Sequence, residues 1–165
     1  MAQNLWRVSM RGKEAMLSVF LTLALVLIAL LTGGAIRLAA QSRTMSVQLG
    51  IVADRLAPCP PTPNCVSSDA PPADSQYVAA LADPSGASWP LLLEKVGAMD
   101  GATLIASDDA YAHFTFESRL FGFVDDVEFH RRPGTGEIAV RSASRVGRGD
   151  LGANRKRVQA IRAAL

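Results

Sequence analysis

Between Arg141 and Arg157 the chain reads RSASRVGRGDLGANRKR, arginines spaced by small residues and glycines just ahead of a stretch with helical periodicity. Guanidinium groups beside the free amides of a helix start make a site for a phosphate or a carboxylate. On that basis Arg141, Arg145, Arg148, Asn154 and Arg155 are the expected ligand-binding residues. Asp150 opposes this reading, because an acid capping the same helix occupies those amides and repels an anion. In that case Arg145, Asp150, Asn154 and Arg155 pin the loop to the sheet by hydrogen bonds.

The acids of FGFVDDVEF are the second candidate group. Strand alternation places Phe121, Phe123, Asp125, Val127 and Phe129 on one face, and Val124, Asp126, Glu128 and His130 on the other. Asp125 then shares the apolar face, where a carboxylate must be paired or protonated. Arg141 on the following strand is the cross-strand partner expected for Asp126 or Glu128, and Asp125 must look to Arg145 or Arg155. Asp125, Asp126, Arg141 and Arg145 are therefore expected to form structural ion pairs. Consecutive strand residues cannot both reach one ion without a bulge, so no metal site is expected.

Ser67, Ser68, Ser142 and Ser144 are available as nucleophiles and His113 or His130 as bases, but the G-x-S-x-G elbow is missing. His113 shares a strand face with Tyr111 and Thr115, a placement typical of an ordinary surface or core histidine. No catalytic residue is assigned. The alternative is a hydrolase using Ser142 or Ser144, or the Asp125, Asp126 and Glu128 cluster.

Cys59 and Cys65 enclose PPTPN, and three prolines in so short a span favour a turning path over a helix. In an oxidising compartment the pair can close a disulfide, worth roughly 2.4 kcal/mol for a loop this short in the chain-entropy model; two free thiols are the alternative. Cys59 follows Leu56, Ala57 and Pro58, a faint echo of a lipid-attachment box, but it lies far beyond the apolar run and directly after proline, so lipidation is not expected.

The elements that must carry these groups are legible in the periodicity. Pro71, Pro72 and Pro84 break the region before Trp89, leaving a short ordered piece around Tyr77 to Leu81. Ser88 reads as an N-cap, followed by Pro90 in the first turn and a stripe of Trp89, Leu92, Leu93 and Val96, with Gly97 or Gly101 ending the helix. Alternation then predicts strands over Thr103 to Ser107, Tyr111 to Ser118, Gly122 to His130 and Glu137 to Ser142. A last helix is expected from about Leu151 to Leu165 with Asp150 as its N-cap. The fold class is α+β: a four-stranded antiparallel sheet with two helices packed on one face.

Composition places this domain behind a membrane segment. The 165 residues are 49% hydrophobic and 19% charged, with a mean hydropathy of +0.19, too apolar for an ordinary soluble domain. Met16 to Ile36 is an uncharged apolar run of 21 residues, long enough as a helix to span the ~30 Å hydrocarbon core. Arg7, Arg11 and Lys13 precede it, with Glu14 as the one nearby acid. The positive-inside rule keeps residues 1–15 in the cytoplasm and exports the rest, despite Arg37 and Arg43 beyond the run. The small residues Gly33, Gly34 and Ala35 admit a cleaved signal peptide as the competing reading. The expected organisation is a cytoplasmic N-terminus at 1–15, a transmembrane helix or signal anchor at 16–36, a stalk at 37–56 and an exported domain at 57–165 in the periplasm or an equivalent extracytoplasmic space.

A net charge of +2 argues against a bulk polyelectrolyte partner, and no nucleic acid is expected outside the cytoplasm. Two cysteines and two histidines leave little for structural zinc or an iron-sulfur cluster, and no cofactor is expected. The charge is uneven: Val66 to His130 holds eleven acids and two bases, and Arg131 to Leu165 nine bases and two acids. The two halves should pair in the fold.

Taken in order, CPPTPNCVSS, LFGFVDDVEF and VRSASRVGRGDLGANRKRV resemble the bacterial and plastid family catalogued as domain of unknown function 1499. The resemblance covers about 57–165. It implies a shared fold whose members often carry a membrane anchor or a lipoprotein signal, and it supplies no reaction, cofactor or catalytic residue. In the family's usual pattern a histidine follows CVSS by about ten residues; this chain has Gln76 and Tyr77 there, which speaks against an essential imidazole. The function expected is that of a non-catalytic, membrane-anchored envelope domain that binds a small anionic ligand, a lipid headgroup or a protein partner.

Overall fold

The computed structural model describes residues 2–45, 47–83 and 85–165, with side chains from Lys13 onward. Arg7 and Arg11, which set the expected orientation, lie outside the described side chains, and Pro84 lies outside the described residues. The chain divides into two units, Met1–Arg37 and Leu38–Leu165. The first consists of helix: α1 spans Ala2–Thr44, and its stretch from Lys13 has a mean hydropathy of 2.6, long and apolar enough to cross a membrane. An export signal has the same character. The last turns of α1 belong to the second unit, where Ala39 and Ser42 are buried.

In the second unit the four expected strands form as β5 (Ala102–Ser107), β6 (Tyr111–Glu117), β7 (Val124–Arg132) and β8 (Glu137–Ser144), consecutive and antiparallel. The sheet is wider than the expected four strands. β3 (Cys65–Ser67) pairs antiparallel with β8 at its far edge, and β4 (Leu81–Ala82) adds a short ladder on the same strand, giving six strands in all. Strands of two or three residues carry too little alternation to be seen in a sequence. A separate hairpin, β1 (Ile51–Val52) with β2 (Arg55–Leu56), turns through Ala53 and Asp54, both at positive φ. That backbone matches the twist of a two-residue hairpin.

Helices α2 (Ser88–Gly97) and α3 (Ala153–Ala164) contribute Trp89, Leu92, Val96, Val158 and Ile161 to one core, which also takes Phe114 and Phe116 from β6, Val127 and Phe129 from β7, and Ile138 and Val140 from β8. Phe114 and Phe129 meet edge to face at 6.1 Å, a favoured aromatic geometry. The helix starts differ from the expected caps. Ser88 does not cap α2; its amide donates to Asp83 Oδ1 at 2.9 Å. The last helix begins at Ala153, with Gly152 in the cap position at φ 78°. Asp150 still serves that end, its carboxylate accepting from the amides of Gly152 at 3.0 Å and Asn154 at 2.8 Å.

Residues 37–56, expected as a stalk, are instead built into this unit from Leu38 on. Leu56 and Ala57 are buried, and the Ser42 hydroxyl accepts from the Val124 amide at 3.0 Å. The second unit therefore begins upstream of the expected boundary at residue 57.

Gly101 is the turn between α2 and β5, at φ +76°, and a Cβ there would stand 2.4 Å from the Glu117 carbonyl oxygen. A left-handed backbone costs a residue with a side chain about 1–2 kcal/mol before any clash. Gly101→Ala is expected to destabilise the domain by more than that, read as a lowered urea midpoint with an unchanged slope.

Candidate functional site

The face of the sheet turned away from the helices is polar and nevertheless buried. In register across it lie Tyr111, His113 and Thr115 of β6, Asp126, Glu128 and His130 of β7, and Ala139, Arg141 and Ala143 of β8. Glu128 is 0% exposed, Asp126 1% and Arg141 4%. Residues 38–45 and 47–57 cover them: the Gly50 amide donates to Glu128 Oε1 at 2.5 Å, and Arg145 Nη1 donates to the Ser42 carbonyl at 3.3 Å.

Two ion pairs organise this face. Glu128 accepts from Arg141 Nη1 at 2.8 Å on Oε2 and from the Tyr111 hydroxyl at 2.8 Å on Oε1. Burial first, and then the Glu128 carboxylate beside it, push the Tyr111 hydroxyl well above the ordinary tyrosine value, which keeps it a donor. Asp126 is held bidentately by Arg145, through Nε at 2.8 Å and Nη2 at 2.7 Å, and His113 Nε2 lies 2.8 Å from its Oδ1. Burial alone would raise Asp126, but the hydrogen bonds and charges of Arg145 and His113 outweigh it and hold the carboxyl below its ordinary range. Arg145 is raised in return, chiefly by its hydrogen bonds to Asp126.

Asp125 points the other way, beneath α3. Its partner is Arg157, at 2.7 Å, and neither Arg145 nor Arg155, the two partners considered from the sequence. Arg157 also stands over the Phe116 ring, 4.6 Å from its centre, and donates to Ser142 Oγ at 2.9 Å. The acids of FGFVDDVEF are thus divided between two faces. Sequence reasoning missed Arg157; its place three residues after Asn154, on the same helical face, was the available signal.

The arginine-rich loop is largely committed internally. Asn154 is buried: its Nδ2 donates to the Asn64 carbonyl at 2.9 Å and to Ser144 Oγ at 3.0 Å, and its Oδ1 accepts from Ser142 Oγ at 2.6 Å. Arg155 donates to the carbonyls of Tyr77 at 3.0 Å and Ser75 at 2.5 Å. Asp150 occupies the helix-start amides, and although burial opposes it, the amides of Asn154 and Gly152 lower its carboxyl below the ordinary value. Arg148 is exposed. Ser142 and Ser144 are engaged with Asn154 on the helix side of the sheet, and among the described residues neither bonds to His113 or His130.

Cys59 and Cys65 are disulfide-bonded, Cα atoms 5.7 Å apart. Cys59 lines two cavities of about 320 Å³ each. One is bounded by Arg55, Asp69, Asp74 and Gln76. The other opens on the buried polar face, between Met45, Val47 and Gln48 of the covering segment and Asp126, Arg141 and, just past the end of β8, Arg145. It brings together Arg141 and Arg145 of the expected ligand-binding set, without Arg148, Asn154 or Arg155.

The family described as protein of unknown function (DUF1499) matches residues 55–165, in agreement with the resemblance read from the three motifs. No curated protein matches, and no solved structure matches.

Two tests follow from this electrostatic arrangement. Asp126, bidentately paired and almost wholly buried, should matter more than Asp125: Asp126→Asn is expected to cost about 3–5 kcal/mol and Asp125→Asn less, reversing the order that an exposed Asp126 would give. Urea unfolding of the two variants measures it. The pH dependence has two stages. Burial and then the Arg132 charge hold His130 below its ordinary value, so the unfolded chain takes up its proton first and stability falls as pH drops through about 6.5. Asp126 and Asp150 are depressed, so their contribution is full above about pH 4 and is lost as pH falls through their lower folded values. Unfolding midpoints from pH 8 to pH 3 should show both stages, and His130→Gln should remove only the first.

Proposed function

The chain belongs to the DUF1499 family of proteins of unknown function, and from its geometry we propose that it is a single-pass, membrane-anchored domain of the cell envelope that works by binding. Its ligand is a small anion, a lipid headgroup or a partner protein, held without catalysis. The observation that carries this reading is the cavity of about 320 Å³ between the covering segment and two guanidinium groups, Arg141 on β8 and Arg145 just after it. Ligand pockets occupy about 300 Å³ and upward and place a few fixed polar groups in an otherwise apolar lining. Here Asp126, Arg141 and Arg145 are already held in ion pairs, Gln48 and Ser144 add further polar groups, and Met45, Val47, Pro58, Pro60 and Ala143 supply apolar wall.

The anchor rests on the apolar α1, retained as a single span with the domain exported. The disulfide supports the same side of the membrane, since such bonds persist in oxidising compartments. On that side of the membrane no nucleic-acid partner is expected.

A reporter that is active only after export, fused beyond Leu165, is expected to be active, and an N-terminal tag should stay with the mature protein; a cytoplasmic reporter signal would refute the placement. Thiol labelling of denatured protein should require a reductant first. Replacing Cys59 and Cys65 with serine together should cost about 2 kcal/mol, because the closed loop is short.

A further inference from the structure

We propose that the unused edge of the Arg141 guanidinium is the recognition element of this cavity and that it takes the oxyanion of a small ligand, a carboxylate or a phosphate. The inference rests on the binding-domain reading above and names its chemistry. An arginine carries five N–H donors. Among the described residues Arg141 uses only Nη1, toward Glu128. Its Nε is buried without a partner, although the side chain is 5% exposed and the residue lines the cavity. Buried donors are almost always satisfied, and one that is not invites an acceptor.

The Nε and Nη2 donors of a guanidinium lie parallel on one edge, spaced to meet the two oxygens of a carboxylate or a phosphate. This domain shows the same edge in use nearby: Arg145 grips Asp126 with its Nε at 2.8 Å and Nη2 at 2.7 Å. At Arg141 the equivalent edge has no acceptor among the described residues. Glu128 and Asp126 balance Arg141 and Arg145, so selectivity comes from two aligned donors in a poorly hydrated wall more than from net charge. A cavity of about 320 Å³ is small, which fits one oxyanion with a few carbon atoms, free in solution or at the tip of a lipid headgroup.

The test uses the full chain in detergent micelles, titrated with inorganic phosphate and with succinate, and the chain reconstituted in phosphatidylcholine vesicles with and without phosphatidylglycerol. The readouts are the melting temperature and the Arg141 Nε–H resonance, assigned by its loss in Arg141→Lys. That variant keeps a charge for Glu128 but lacks the two-donor edge. Because Arg141 is buried, the second variant is Gln48→Trp, at an exposed rim position, which fills the cavity and leaves every ion pair in place.

A probe at 100 times its dissociation constant should raise the folded-to-unfolded ratio about 100-fold, shift the resonance saturably, and bind at least about tenfold more weakly to both variants. A response to the soluble anions makes the ligand a free oxyanion, and a response confined to phosphatidylglycerol vesicles makes it a headgroup; either supports the proposal. An unmoved Nε–H resonance with every probe overturns it. Stabilisation that persists undiminished in both variants also overturns it, while leaving a binding domain whose ligand sits elsewhere.

Discussion

A carboxylate shut off from water in the middle of a sheet is the constraint around which this domain is arranged. Glu128 has no exposed surface, and an ionised group there is tolerated only when each oxygen is met by a donor. The donors come from three separate parts of the chain: Tyr111 on β6, Arg141 on β8 and the amide of Gly50 ahead of the β1–β2 hairpin. Satisfying them together fixes the lateral register of three strands and the seat of the covering segment. A slip of β7 by one residue would withdraw Glu128 and Asp126 from their arginines and bring Val127 and Phe129 onto the polar side. The penalty for that slip is carried by both faces at once.

The two faces contribute differently. Beneath α2 and α3 the core is mostly apolar, the exceptions being Asn154, Ser142 and the Asp125–Arg157 pair under α3, so most of its stabilisation follows buried area. On the other face, replacing the ion pairs with apolar residues of similar shape could leave stability unchanged or raised, because desolvation offsets much of the attraction between charges. What the charges supply is specificity. An apolar underside would accept residues 38–57 in many positions. One built from Glu128, Asp126 and Arg145 accepts them where the Gly50 amide and the Ser42 carbonyl arrive together. The chain leaving the apolar helix is thereby given a defined entry into the domain.

Much of this fold is written in local pattern, and what is not written there has a common cause. Strands β5 to β8 and both short helices are visible because five or more residues of consistent period report a half-buried element. The division of Asp125 from Asp126 was equally legible, since alternation says which residues share a face. Alternation does not say whether the second face meets water. That depends on the covering segment, whose own pattern, a helix end followed by a short hairpin, resembles a linker. Hence His113, sharing its face with Tyr111 and Thr115, reads equally as a surface or a core histidine, and Glu128 only as one of two candidate partners of Arg141. The disulfide was legible from the closeness of two cysteines around prolines, whereas the edge strand it leads into, Cys65–Ser67, was too short to show.

Competition for acceptors explains why two arginines on the same face end in different states. Asp126 offers Arg145 both oxygens, so the pair closes bidentately and His113 shares Oδ1 from the side. Glu128 cannot do the same for Arg141, because its Oε1 already accepts from the Gly50 amide and the Tyr111 hydroxyl, leaving only Oε2. The covering segment that shields this face therefore also takes the acceptor that would have completed the Arg141 pair. Seating the covering segment on the sheet and leaving one guanidinium edge without an acceptor among the described residues are consequences of the same hydrogen bond, which ties any affinity of that edge to the position of the chain arriving from α1.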